Sequence, residues 1–216
     1  MQFLRKEDDG ILDGLSGSAR SEQSVSERKK ELRIIFKEQR RALSEEEKRS
    51  FSEKLCKNIL SLDVFKQADA VLSFYPLENE TDVQGVNEEV LRLKKILAFP
   101  KCVKGTREMN FFSVSSFDEL EKGSYSIYEP KETCPLYVPS ESAKTICIAP
   151  AMAYSRDGYR IGYGGGYYDR YLSKFPFLTS VGVIYSPFLT DTLPCGELDI
   201  AVDTVVTDLE IIKIPK

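Results

Sequence analysis

Asp157-Gly158-Tyr159-Arg160-Ile161-Gly162-Tyr163-Gly164-Gly165-Gly166-Tyr167-Tyr168-Asp169-Arg170-Tyr171-Leu172 decides the reading of this chain. An apolar segment, Thr145 to Ala149, precedes it and stops at Pro150, and a helical segment, Tyr167 to Phe175, follows its last glycine. The order is strand, glycine loop, helix. The same alternation recurs outward from it. Upstream, short apolar runs over 70–75, 96–99 and 109–114 read as strands, and Thr81 to Lys95 reads as a helix with Val83, Val86, Val90 and Leu91 inward. Downstream, 181–185 and 205–207 read as strands. Helices alternating with short buried strands predict an α/β fold with a largely parallel central sheet.

Two helices precede the first strand. Ser26 is read as opening one over 27–43, with Leu32, Ile35, Phe36 and Gln39 on one side and Lys29, Lys30, Arg33, Lys37, Arg40 and Arg41 making the remainder basic. Ser44-Glu45-Glu46-Glu47 is a capping box, and Phe51, Leu55, Ile59 and Leu62 recur behind it at helical spacing. Residues 115–142 are rich in Ser, Pro and Glu and read as long surface connections. Residues 1–25, with Gly10, Gly14 and Gly17, read as a flexible leader, and 26–216 as a single domain.

The composition narrows the function. The 216 residues include 30 Lys and Arg against 34 Asp and Glu, a formal net charge of −4, which argues against a surface built for nucleic acid. There is no histidine. Ser-His-Asp and Cys-His machinery and imidazole zinc sites are therefore excluded. The cysteines, at 56, 102, 134, 147 and 195, are odd in number and widely spaced, as expected of free thiols in a reducing compartment. No secretory signal or membrane-spanning run is present, so a cytoplasmic protein without a membrane partner is expected.

Four glycines within residues 162–166 let backbone N–H groups approach an anion closely, and the helix start behind them carries about half a positive charge. Together they can cradle a phosphate. Arg160 and Arg170 bracket the loop, and Asp169 falls in the first helical turn, suited to a magnesium ion bridging phosphates. The spacing is neither the phosphate loop that ends in Lys and Ser or Thr nor the dinucleotide fingerprint. Read alone, such a loop can also serve only tight packing, Lys29 and Arg33 only a solvated helix face, Glu80 a surface acid and Asp199 a loop cap.

The run RIGYGGGYYDRYL, preceded by APAMAYSRDG, resembles the signature of the 5-formyltetrahydrofolate cyclo-ligase family. The resemblance runs in order over residues 27–210 and takes in Lys29-Lys30-Glu31-Leu32-Arg33, the stretch Phe74 to Asp82, Tyr125 to Pro130, and Leu193, Pro194, Asp199 and Asp203. It implies a three-layer α/β sandwich of the kind shared with sugar-phosphate isomerases and coenzyme A transferases. It also implies an ATP- and magnesium-dependent conversion of 5-formyltetrahydrofolate to 5,10-methenyltetrahydrofolate with release of ADP and phosphate. Carried over by position, Lys29, Lys30, Arg33, Arg160, Ile161, Gly162, Tyr163, Gly164, Gly165, Gly166, Tyr167 and Tyr168 are implied to bind ATP, with Lys29 and Arg160 acting in catalysis. Tyr75, Glu80, Tyr125, Gly164, Gly166 and Tyr167 are implied to contact the folate, and Asp169 and Asp199 to hold Mg2+. The implied partners are these two small molecules, with no nucleic acid and a monomeric chain. Leu198 stands where many relatives have His, and Gly165 where some have Lys. The alternative is an inactive member of the fold that binds nucleotide or folate without turnover.

Overall fold

The computed structural model describes residues 24–123 and 127–215. The expected leader, apart from Ser24 and Val25, lies outside the described residues, as does Tyr125. Ser24 and Val25 belong to the first helix, α1 (Val25–Arg41), which starts two residues earlier than Ser26 predicts. The reason is Glu27, whose carboxylate accepts the Ser24 N–H at 3.0 Å while the Ser24 hydroxyl accepts the Glu27 N–H at 3.3 Å. The capping box expected at Ser44 opens α2 (Glu45–Ser61), followed by the short α3 (Asp63–Gln67).

The chain then builds β1 (Ala70–Leu72), α4 (Gln84–Arg92), β2 (Ile96–Cys102), β3 (Met109–Val114), β4 (Leu120–Lys122), β5 (Tyr128–Pro130), β6 (Leu136–Tyr137) and β7 (Thr145–Pro150). The last part holds β8 (Ala153–Ser155), β9 (Arg160–Ile161), α5 (Tyr167–Lys174), β10 (Thr179–Val183), β11 (Leu189–Thr190), β12 (Thr204–Val206) and β13 (Ile211–Lys213). α4 is shorter than the expected 81–95. The Asp82 carboxylate accepts the Gln84 N–H at 2.8 Å at its start, and Lys94, in the left-handed region at φ 56°, ends it.

The main sheet has the order β13-β12-β10-β7-β1-β2-β3-β6. Its centre is parallel, from β12 through β10, β7 and β1 to β2, and β3, β6 and β13 pair antiparallel at the edges. Residues Ala70–Leu72 and Thr145–Ala149 are buried on both sides, as strands covered on both faces must be. From β1 the chain steps to β2 on one side, and from β7 to β10 on the other. Right-handed crossovers therefore place α4 and α5 on opposite faces, which makes the three layers. The order in which strands are added therefore reverses between β1 and β7, and in open parallel sheets ligands bind at the carboxyl ends of strands at that reversal.

The 115–142 stretch is more ordered than expected. It contributes the β4–β5 ribbon and the edge strand β6, and buries Leu120 and Cys134. A second small sheet, β11-β8-β9, also escaped the sequence reading. Its strands are two or three residues long, too short for a periodic signal.

Candidate functional site

The loops leaving β1 and β7 meet α1 at this reversal point. α1 does not use the face that its apolar residues suggest. Ile35 is 48% exposed, and Gln39 is exposed too. The inward line is Lys29, Arg33, Phe36 and Arg40, whose spacing of four, three and four residues keeps them on one side of a helix. The helix is amphipathic in reverse over much of its length because it covers a polar site as well as the core.

Arg40, expected on the basic outer face, is buried at 4% exposure. Its guanidinium donates to the carbonyls of Asn79 at 2.9 Å, Ala151 at 2.8 Å and Met152 at 3.2 Å, and to the Thr81 hydroxyl at 3.3 Å. It also lies 4.9 Å from the Phe188 ring centre. One side chain thus ties α1 to both site-forming loops.

Lys29 donates to both carboxylate oxygens of Asp199 at 2.5 Å. Burial alone pushes the Asp199 carboxyl up, but the Lys29 ammonium, the Gly196 N–H and the Arg160 charge together hold it below its ordinary value. Arg33 donates through Nε to the Gly162 carbonyl at 2.8 Å, and its guanidinium lies over Gly164. Arg160 is buried at 8% exposure, with one nitrogen on the Ile200 carbonyl at 2.9 Å and another on Asp169 Oδ1 at 2.7 Å. The Ile200 N–H reaches the same Asp169 oxygen at 3.1 Å. Asp169 and Asp199 are therefore brought together through Arg160 and Ile200. Lys30 is exposed and does not join this cluster; its charge acts on Glu27.

The glycine loop needs its glycines at two positions in particular. Gly164 (φ 101°) and Gly166 (φ 65°) occupy the left-handed region, and Gly166 caps the start of α5. Arg170 donates to the carbonyls of Gly165 at 2.8 Å and Gly166 at 2.9 Å, so it braces the loop from behind. A side chain at Gly165 would begin 2.5 Å from the Tyr167 ring. Tyr167 fills that space and interacts with Cys102. Tyr168 turns inward, with its hydroxyl buried and unpartnered. Ile161 is fully buried on β9 and anchors the loop's entrance.

On the β1 side, Tyr75 packs on the rings of Tyr128 at 4.9 Å, Phe117 at 6.2 Å and Phe99 at 6.4 Å between centres. Glu80 accepts the Leu77 N–H at 3.1 Å. Burial raises its carboxyl above the usual range, against the opposing pull of the Leu77 N–H, the Tyr163 hydroxyl and the Arg40 charge. A cavity of about 730 Å3 opens between α2 and this loop, lined by Lys48, Ser52, Tyr75, Leu77, Glu80 and Tyr185 among others. That is the size range of small-molecule pockets.

Cys147 is fully buried, its thiol pushed up to about 12 by burial, which leaves it unreactive. Leu198, where many relatives have His, is 85% exposed beside Asp199.

Residues 25–208 match the model of the 5-formyltetrahydrofolate cyclo-ligase family. The chain belongs to that family. Curated cyclo-ligase relatives agree over nearly their whole length. The probable 5-formyltetrahydrofolate cyclo-ligase of Caenorhabditis elegans is 26% identical over 88% of this chain and 97% of its own. The 5-formyltetrahydrofolate cyclo-ligase of Escherichia coli K12 is 27% identical over 80% of this chain and 96% of its own. The solution structure of the Aquifex aeolicus 5,10-methenyltetrahydrofolate synthetase superposes with a TM-score of 0.74, at 36% identity, over 87% of this chain and 93% of that one. The Mycoplasma pneumoniae synthetase, at 23% identity and a TM-score of 0.67, shares the fold.

Proposed function

We propose that the chain catalyses the ATP-dependent cyclisation of 5-formyltetrahydrofolate to 5,10-methenyltetrahydrofolate, releasing ADP and phosphate. The observation that carries this reading is the convergence of Lys29 and Arg33, from α1, with Arg160 and the glycine loop more than a hundred residues away. Nothing in the packing of a basic surface helix requires that meeting. A polyanion held there explains it.

The chemistry needs no histidine. The formyl oxygen attacks the γ-phosphorus, forming a C–O–P linkage as the bond to ADP breaks. N10 then attacks the activated formyl carbon and phosphate leaves with the oxygen. The N10 proton goes to solvent or a nearby base, and the methenyl cation remains. In such a transfer the protein mainly positions the reactants and neutralises charge. The backbone N–H groups of Gly164 to Tyr167 and the side chains of Lys29 and Arg33 face the phosphates in this reading. Arg160 acts by fixing Asp169, and also tempers the cluster's negative charge. Tyr75, Glu80 and Tyr167 meet the folate, with the Glu80 carboxylate accepting from pterin N–H groups.

Asp169 and Asp199 suit a magnesium ion that takes most of its remaining ligands from phosphate and water. Asp169 keeps Oδ2 clear of the contacts made by Oδ1, and a cation, the Lys29 ammonium, already sits on the Asp199 carboxylate. No group of three or more acidic or cysteine ligands forms among the described residues, which fits an ion shared with a substrate. When bound there it would neutralise developing phosphate charge.

The test mixes purified protein with 5-formyltetrahydrofolate and magnesium, with and without ATP, and follows methenyl product by absorbance. Product only with ATP supports the reading. Folded protein that binds ATP and makes no product overturns it in favour of a binding module.

A further inference from the structure

Asp199 is positioned by its own loop. The Gly196 N–H donates to Oδ2 at 2.6 Å, and the Asp199 N–H donates back to the Gly196 carbonyl at 3.1 Å. Arg160 holds the next residue through the Ile200 carbonyl at 2.9 Å. Lys29 reaches this fixed carboxylate from 170 residues away and donates to both of its oxygens at 2.5 Å. The lysine stem is flexible, so of the two partners it is the one free to swing. One turn further along α1, Arg33 donates to the Gly162 carbonyl, and its guanidinium carbon lies 3.6 Å from where a side chain on Gly164 would begin. Residues four apart share a helix face, so a phosphate on the loop beside Arg33 comes within reach of Lys29. The paired side chains are 12% and 21% exposed, open enough to be approached and sheltered enough for the charges to matter. An ammonium closed on both oxygens covers the atoms a metal ion would take, and commits to the protein the charge a phosphate would take.

We propose that the Lys29–Asp199 pair is a strap that nucleotide opens. Phosphate on the glycine loop takes the Lys29 ammonium, and the Asp199 carboxylate so released turns to magnesium. This rests on the functional reading above, because it needs phosphate on Lys29 and the ion on Asp199. The strap makes the two ligands depend on each other. Nucleotide alone has to break the ion pair and leaves the carboxylate unmatched, whereas nucleotide with magnesium leaves neither charge without a partner. By linkage, the ion gains from nucleotide the same factor that nucleotide gains from the ion.

The experiment measures the dissociation constant of ATP by calorimetry, in EDTA and in magnesium, for the native chain and Asp199→Asn. Asn keeps an oxygen for the Gly196 N–H, so the loop is retained. In EDTA the variant is expected to bind ATP about fivefold more tightly than the native chain, because Lys29 is free from the start. In magnesium the order is expected to reverse, with the variant about fivefold weaker. A carboxylate that only shaped its loop would move both constants the same way. Lys29→Met separates the freed lysine from a general loss of negative charge. In that background Asp199→Asn should change the EDTA constant by less than about twofold. No gain in EDTA, no reversal in magnesium, or a gain that survives undiminished in Lys29→Met overturns the inference while the functional reading stands. A native chain that binds no ATP under either condition overturns both.

Discussion

Asp169 shows how much one carboxylate can be asked to do. Oδ1 is committed to Arg160 and the Ile200 N–H, which fixes the side chain's direction without using its other oxygen. Asp169→Asn keeps the shape and removes the charge. Turnover is expected to fall at least ~100-fold with melting little changed. Activity retained at saturating magnesium would count against the assignment. In the proposed function Lys29 serves the phosphates, so Lys29→Ala should raise the ATP requirement more than the folate requirement in steady-state kinetics. The reverse pattern would place Lys29 on the wrong substrate. Arg40 is a different case, since it is buried and its four hydrogen bonds brace the Asn79–Thr81 and Ala151–Met152 segments. Arg40→Met leaves buried carbonyls without donors and should cost about 3 kcal/mol, read from the urea midpoint. The family's motif singled out Lys29 and Arg33, and the structure brings both to one side of α1, on Asp199 and the Gly162 carbonyl. The sequence reading missed Arg40, because a single charged residue among several on one helix carries no mark of burial. Its spacing from Phe36 was the available signal.

At the level of elements, the strand–loop–helix around the glycines was legible because three kinds of signal coincide there: an apolar run ended by proline, clustered glycines and a helical segment after the last of them. α1 was located but turned the wrong way. Periodicity assumes that the inward side is apolar, and here much of the inward side faces a charged site while Ile34 and Ile35 are exposed. The small β11-β8-β9 sheet left no pattern at all. Its central strand nevertheless sets a tight packing relation. Tyr154 is fully buried, donates to the Ala149 carbonyl at 3.0 Å, and fills the volume that a Cβ on Gly182 would need. Gly182→Ala therefore overpacks the join between β8 and β10, and should lower stability by about 1–3 kcal/mol in equilibrium denaturation. Smaller residues at Tyr154 should relieve that strain, so the double variant is expected to be less unstable than the sum of the singles.

Over the whole molecule, two carboxylates push stability in opposite directions with pH. Asp199 has its folded value lowered, so its contribution is present above the unfolded value near 4 and is lost as the pH falls through the folded one. Glu80 has its value raised, so ionisation at neutral pH opposes folding and that opposition fades as the medium turns acid. Glu80→Gln should melt at a higher temperature than the native chain at pH 7, with the gain shrinking by pH 5; an undiminished gain would show that charge is not its cause. α1 adds a property of a different sort. Its far end is pinned to the body by the buried Arg40, whereas its near end is held by Lys29 on Asp199 and Arg33 on Gly162. In the proposed function, those near-end contacts are the ones a phosphate would compete for. Backbone amides of the first two turns should therefore exchange with deuterated solvent faster than those beside Phe36 and Arg40, and the gradient should flatten when nucleotide takes over the grip. Each catalytic cycle would leave a legible trace at one end of one helix, where an inhibitor that merely wedged Lys29 away from Asp199 would leave the opposite one.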